Sequence, residues 1–175
     1  MKNFNINKLV TAALMAAMTC ISTIVIAVPS PAGGFIHPGD GFVILSGIIL
    51  GPFFGGLAAG IGSMIADLVL GFSAYAAATL IIKGLAAIIA AYTYRILHRS
   101  LRNKIIPVFI ASILGGVLVT FGYFVFEGSI LGLGIAAATN LPFNLVQNCF
   151  GIIISVLLYP LLLKVPQIRA MIEAY

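Results

Sequence analysis

The fold is decided by residues 41–70, whose sequence is GFVILSGIILGPFFGGLAAGIGSMIADLVL. A helix that crosses a membrane needs about 20 apolar residues, so this stretch is long for a single crossing. Its middle, Gly51-Pro52-Phe53-Phe54-Gly55-Gly56, is rich in the two residue types that most disfavour a continuous helix. The stretch therefore forms either one long interrupted helix or two short spans.

The positions of the basic residues decide between these alternatives. They cluster before the first apolar stretch and in one later connection, at Lys2, Lys8, Arg95, Arg99, Arg102 and Lys104. Lysine and arginine concentrate in the cytoplasmic segments of membrane proteins, so an even number of crossings must separate the two clusters. Residues 9–28 and 76–94 supply two crossings, which leaves none or two for residues 41–70. Their apolar composition favours two spans, joined by a tight cytoplasmic turn at Gly51 to Gly56.

The composition identifies the class of protein. Of the 175 residues, 62% are apolar and 7% are charged, and the mean hydropathy of +1.20 excludes a soluble globular domain. We predict an all-α, polytopic membrane protein that forms a single six-helix domain with both termini in the cytoplasm. The predicted spans are residues 9–28, 41–54, 57–71, 76–94, 105–126 and 140–163. Glu127 to Thr139 is predicted to be an outer loop, and we expect no cleaved signal peptide.

Several classes of function are excluded by the motifs that the sequence lacks. It contains no phosphate-binding G-x-x-x-x-G-K-[ST] loop and no Ser/His/Asp or paired-carboxylate array, so we do not expect an enzyme. Cys20 and Cys149 have no Cys or His nearby at metal-ligand spacing, so we expect no metal, disulfide or cofactor. The net charge of +5 comes from residues at span ends, where topology and anionic lipid account for it without nucleic acid.

Four charged residues fall near the outer membrane surface in this topology: Asp40, Asp67, Lys83 and Glu127. A lone charge in hydrocarbon costs about 3 kcal/mol or more, so such residues usually face a partner or a cavity. Asp67 and Lys83 lie in the outer halves of consecutive spans, which allows them to pair. Such a pair either holds two helices together or marks a substrate path.

The last span opens with a stripe of amide side chains, Asn140, Asn144, Gln147 and Asn148. Their spacing places them along one face of a helix. Amides both donate and accept hydrogen bonds, which suits an uncharged or zwitterionic heteroaromatic ligand. The alternative is that these amides bond to neighbouring helices.

The outer connections add further polar and aromatic groups. His37 and Asp40 lie at the end of the first outer loop. This loop either covers the ligand site formed by the amides or forms an ordinary turn in which Asp40 caps the next helix. Tyr75 and Tyr123 are either interfacial anchors or rings that stack on a ligand. The predicted substrate-binding residues are His37, Asp40, Asp67, Tyr75, Lys83, Tyr123, Glu127, Asn140, Asn144, Gln147 and Asn148. In this hypothesis the amides contact ring substituents, Asp67, Lys83 and His37 contact a ring nitrogen or hydroxyl groups, and Asp40 and its loop close over the ligand.

Three segments carry a resemblance to a known family. They are Ala12–Ala17, with its two Ala-x-x-x-Ala pairs; Phe35-Ile36-His37-Pro38-Gly39-Asp40-Gly41, running into Leu45-Ser46-Gly47; and Gly60–Leu68, followed by Thr79–Gly84. Through them the chain resembles, over almost its whole length, the substrate-binding S components of energy-coupling factor (ECF) vitamin transporters. The last two segments look most like the branch assigned to pyridoxine or hydroxymethylpyrimidine.

The resemblance implies a six-helix bundle in a bacterial plasma membrane that captures a small water-soluble vitamin from outside. It also implies two kinds of partner, a transmembrane coupling protein and a pair of cytoplasmic ATPases. The implied docking surface consists of Ala12, Ala13, Ala16 and Ala17. Two other classes stay open: an autonomous secondary carrier or channel in which Asp67 and Lys83 relay ions, and a structural subunit of a membrane complex.

Overall fold

The protein is a helical bundle with one short β-hairpin on its outer side. The computed structural model describes residues 6–30 and 34–174. The helices are α1 (Ile6–Val25), α2 (Asp40–Val69), α3 (Ser73–Ser100), α4 (Ile105–Val125), α5 (Leu141–Leu162) and α6 (Pro166–Glu173). The antiparallel strands β1 (Val28–Pro29) and β2 (Phe35–Ile36) connect α1 to α2. A π-helical turn (Phe126–Ile130) extends α4, and a 3-10 helix (Gly134–Asn140) leads into α5.

Within the described residues, five helices are long and apolar enough to cross a membrane. They are Ile6–Val25, Asp40–Val69, Ser73–Ser100, Ile105–Ile130 and Gly134–Leu162. Large apolar side chains cover the outside of the bundle; Phe121, for example, is 66% exposed and Leu157 63%. Surfaces of this kind are stable against lipid and not against water. The prediction of an all-α membrane protein is confirmed.

Helix α2 is broken at Gly51, where the backbone takes φ +82° and ψ −179° immediately before Pro52. A Cβ atom on Gly55 would lie 2.4 Å from the carbonyl oxygen of Ser46. In a straight helix, residues nine positions apart are separated by about 13.5 Å, so the two halves of α2 must lie side by side. The chain therefore reverses at one residue, and residues 52–56, which we predicted to belong to the turn, are already helical.

Small residues bring the central helices into close contact. A Cβ on Gly47 would lie 2.0 Å from the carbonyl oxygen of Ala87, and one on Gly62 would lie 2.4 Å from that of Ala16. Backbones can approach this closely only where side chains are absent, as is typical of helix contacts in membranes. These contacts pack α2 between α1 and α3.

Some helix limits differ from the predicted limits of the spans. Helix α1 ends at Val25, three residues before the predicted limit, because the chain enters the β-hairpin at Val28. The predicted outer loop from Glu127 to Thr139 is mostly helical. Helix α6 was not predicted; its buried Ile172 packs in the core beside Leu50 and Tyr159. Lys2, which the topology argument used, lies outside the described residues.

Candidate functional site

A small cavity lies where the loop containing the β-hairpin meets the ends of α2 and α4 and the starts of α3 and α5. Eight of the predicted site residues line it: His37, Asp67, Tyr75, Tyr123, Glu127, Asn140, Asn144 and Gln147. Its volume is about 30 Å³, which is room for roughly two water molecules. The surrounding side chains thus close tightly around the centre of the site. Asp40, Lys83 and Asn148, also predicted to bind substrate, do not line the cavity.

Three of the four predicted amides face the cavity. Asn140, Asn144 and Gln147 are all buried and follow the i, i+4, i+7 spacing of a single helical face. Asn148 is turned toward α4, where its Nδ2 donates hydrogen bonds to the carbonyl oxygen of Gly116 (2.9 Å) and the hydroxyl of Thr120 (2.7 Å). The alternative interpretation, in which an amide joins two helices, therefore describes Asn148.

Beneath the cavity lies a buried ion pair. Lys83 Nζ is 2.5 Å from Asp40 Oδ1, and the lysine side chain has no exposed surface. The same ammonium lies 5.2 Å from the centre of the Tyr123 ring. The predicted pairing of Lys83 with Asp67 is therefore wrong, because the loop before α2 brings Asp40 closer. Asp40 does not act as the predicted helix cap either; it is the first residue of α2, and Gly39 holds the cap position.

The ion pair is connected to the cavity wall through Gln147. Its Nε2 donates to Asp40 Oδ2 at 2.8 Å, and its Oε1 accepts from the backbone N–H of His37 at 3.2 Å. The His37 ring then accepts from the backbone N–H of Gly39 through Nδ1 at 3.1 Å, and the Thr23 hydroxyl lies 3.2 Å from the same atom. Buried polar side chains with two or more partners have fixed orientations. The network therefore fixes both Gln147 and the loop that covers the site.

Two carboxyl groups of the cavity are only half satisfied. Asp67 is hydrogen-bonded to Thr79, and Glu127 accepts from the Tyr75 hydroxyl at 3.4 Å and interacts with Asn140. Asp67 Oδ2 and Glu127 Oε2 are buried and have no hydrogen-bond partner among the described residues. Buried acceptors are almost always paired, so each of these oxygens is available to a hydrogen-bond donor of a molecule bound in the cavity.

Aromatic rings form the outer part of the site. Tyr75 lies 6.4 Å from Tyr123 and 5.4 Å from Phe126 between ring centres, and Phe35 lies 4.8 Å from Phe72. Tyr75 and Tyr123 line the cavity, which favours the ligand-stacking interpretation of these residues over the anchor interpretation.

Four lining residues were missed by sequence reasoning: Ser30, Gly34, Phe35 and Thr79. Thr79 could have been predicted from its spacing, because it lies four residues after Tyr75 and four before Lys83 and so shares their face of α3. The other three belong to the loop that contains the β-hairpin, where no periodicity shows which side chains point inward.

The two alanine pairs of α1 face different surroundings. Ala12 and Ala16 are half-buried and pack against the core, and the backbone of Ala16 contacts Gly62. Ala13 and Ala17 are exposed, next to the exposed side chains of Leu14 and Met18. Of these two pairs, Ala13 and Ala17 therefore form the one that lies on the outside of the bundle.

The buried imidazole predicts a pH dependence of stability. Burial lowers the pKa of His37 from 6.5 to about 3; Lys83 lowers it as well, and Asp40 opposes the shift. The unfolded chain binds the proton near pH 6.5 and the folded chain only near pH 3, so stability is complete above pH 6.5 and declines as the pH falls toward 3. We expect Tm in detergent to fall between pH 7 and 4.5, with a smaller fall in a His37→Asn variant.

His98 is the other histidine of the chain and provides the control. A His98→Asn variant should keep the contribution of His37 to the pH dependence. Equal slopes of Tm against pH in wild type and His37→Asn would contradict the assignment.

Two comparisons with known proteins agree with this architecture. A family model described as "ECF-type riboflavin transporter, S component" matches residues 3–164. A protein of Pyrococcus woesei, described as "Uncharacterized protein in gap 3'region", is 32% identical over 135 residues, which are 77% of this chain and 86% of that protein.

Proposed function

This chain belongs to the family of ECF-type riboflavin transporter S components, which it matches over residues 3–164, and we propose that it captures a small water-soluble vitamin or vitamin precursor on the extracellular side. The observation that carries the proposal is the convergence of three amides, two half-satisfied carboxyl groups and two tyrosines on one cavity. Polar groups that converge on an enclosed site lined by aromatic rings are typical of small-molecule binding.

We propose six membrane crossings with both termini in the cytoplasm of a bacterial cell. The reversal at Gly51 supports this count, because it gives α2 one inward and one outward half. Arg95 lies sixteen residues after Thr79 along α3, which places it about 24 Å from the cavity. The basic connection between α3 and α4 thus lies at the opposite end of the bundle from the site. Basic segments are typically cytoplasmic, so this arrangement supports an extracellular site.

Pyridoxine and hydroxymethylpyrimidine are the substrates we favour. Both are small nitrogen heteroaromatic rings with donor substituents, which suit the amides and the unpartnered carboxylate oxygens of the site. Riboflavin, which the family description names, is the second candidate, because its ring system also suits the amides and tyrosines. Identifying the molecule released when protein purified from rich medium is denatured would decide between them.

Transport would require partners. We propose a transmembrane coupling protein that docks on the exposed Ala13 and Ala17, and two cytoplasmic ATPases that supply the energy. Reconstitution in liposomes tests this against the other classes of function. Uptake by the chain alone, driven by an ion gradient, would indicate an autonomous carrier, whereas failure of every vitamin to raise Tm would indicate a structural subunit.

Two neighbouring asparagines provide a matched test of the site. Asn144 lines the cavity, so Asn144→Leu is expected to weaken vitamin binding at least tenfold while Tm without vitamin stays within a few degrees. Asn148 bonds only to α4 among the contacts described, so Asn148→Leu is expected to lower Tm with little change in affinity. Isothermal titration and thermal unfolding of both variants measure the difference, and an equal loss of affinity in the two would disprove the assigned division of roles.

A further inference from the structure

The arrangement of charge in the cavity restricts the kind of vitamin that fits. Asp67 and Glu127 both line the site and are almost fully buried, with 4% and 3% of their surfaces exposed. Each has one oxygen bonded to a protein group and one buried oxygen that no described residue partners. Building on the proposed function, we infer that the site selects a donor-rich, uncharged or cationic ring and rejects vitamins that carry a carboxylate or phosphate group.

Among the residues that the structure describes, no cation lines the cavity where it could receive an anionic ligand. Neither lysine nor arginine occurs among the residues that line the cavity. Lys83, which lies beneath it, is fully buried and paired with Asp40 at 2.5 Å. His37 accepts hydrogen bonds through Nδ1 and stays neutral at physiological pH, because burial lowers its pKa to about 3. The acidic side chains therefore determine the charge of the site.

The hydrogen-bonding capacity of the two carboxylates also favours a ligand that donates hydrogen bonds over an anion. Carboxylate oxygens accept hydrogen bonds and donate none, so the two unpartnered oxygens need ligand hydroxyl, amino or protonated ring-nitrogen groups. A phosphate or carboxylate brought next to them adds a like charge in a poorly solvated site, which is strongly unfavourable. A ligand amino or hydroxyl group next to either oxygen supplies the donor that this oxygen lacks.

Matched pairs of compounds test the inference directly. Riboflavin, pyridoxine and hydroxymethylpyrimidine are each compared with their own phosphate ester by isothermal titration on the purified full chain in nanodiscs. The molecule released by denaturing protein from rich medium is identified in parallel. We expect at least one parent compound to bind, its ester to bind at least a hundredfold more weakly, and the released molecule to contain no carboxylate or phosphate.

Variants of Asp67 and Glu127 test whether their charges cause the preference for the parent compound over its phosphate ester. Glu127→Gln and Asp67→Asn keep the size of the side chain and remove its charge, so the preference for parent over ester should fall at least tenfold in each. Glu173→Gln makes the same chemical change on the exposed surface of α6 and should leave the preference unchanged. An unaltered preference in both cavity variants would refute the electrostatic cause.

The possible failures are distinguishable. An ester that binds as tightly as its parent, or a released molecule that carries a carboxylate or phosphate, overturns this inference and leaves the proposed function standing. If none of the compounds binds and no small molecule is released, the proposed function itself is overturned.

Discussion

Replacing Asp40 by asparagine is expected to lower the free energy of unfolding by about 3–5 kcal/mol, the usual effect of removing one partner of a buried ion pair. The substitution leaves the ammonium of Lys83 without its counter-charge in a position with no exposed surface. It also weakens the acceptor for Gln147, so vitamin affinity should fall together with stability. Thermal and denaturant unfolding in detergent, followed by titration with vitamin, measure both effects.

The double variant Asp40→Leu with Lys83→Met separates the cost of an unpaired charge from the value of the pair. Apolar replacements of a whole buried ion pair are often neutral or stabilising. We therefore expect the double variant to recover most of the lost stability but not the vitamin affinity, because Gln147 still lacks its acceptor. If Asp40→Asn costs less than about 1 kcal/mol, the pair is not the buried structure that the distances indicate.

Enlarging the exposed alanines of α1 is expected to abolish transport without affecting capture. Ala13→Leu combined with Ala17→Leu fills the smooth surface that we propose for the coupling protein. Helices in lipid associate through close backbone contact, which leucine side chains prevent. Vitamin uptake by cells or liposomes that contain the complete transporter should fall at least tenfold, while the affinity of the isolated chain stays within twofold.

The control is an alanine of similar exposure elsewhere on the bundle. Ala77 is exposed on α3, and Ala77→Leu adds the same atoms at a site outside α1. Uptake by this variant should match that of the wild type. Loss of vitamin binding in the Ala13 and Ala17 double variant, or normal uptake by it, would contradict the docking proposal.

The membrane class and much of the site were predictable from the sequence, because they depend on periodicity and on charge in hydrocarbon. Asn140, Asn144 and Gln147 share a helical face at any tilt of the helix. The partner of Lys83 was not predictable, since two carboxylates lie within reach in the sequence and only the path of the loop before α2 favours Asp40.

Irregular backbone accounts for most of the remaining differences. Ser30, Gly34 and Phe35 line the cavity from a loop whose conformation depends on tertiary contacts. Asn148 follows Gln147 directly, so one helical step of 100° decides whether an amide faces the cavity or α4. The sequence pattern identifies a polar stripe on a helix, but the positions of the neighbouring helices determine which residues of the stripe face the cavity.

The reversal at Gly51 bears on how the chain enters the bilayer during synthesis. The first half of α2 runs from Asp40 to Leu50, about 16 Å of helix, and begins with a carboxylate. A segment so short covers only about half of the hydrocarbon thickness, and the charge of Asp40 at its start adds to the cost of its partitioning from the translocon. On the proposed six-span topology, we therefore expect the longer second half to assist its insertion, so that the two halves enter lipid together as a hairpin.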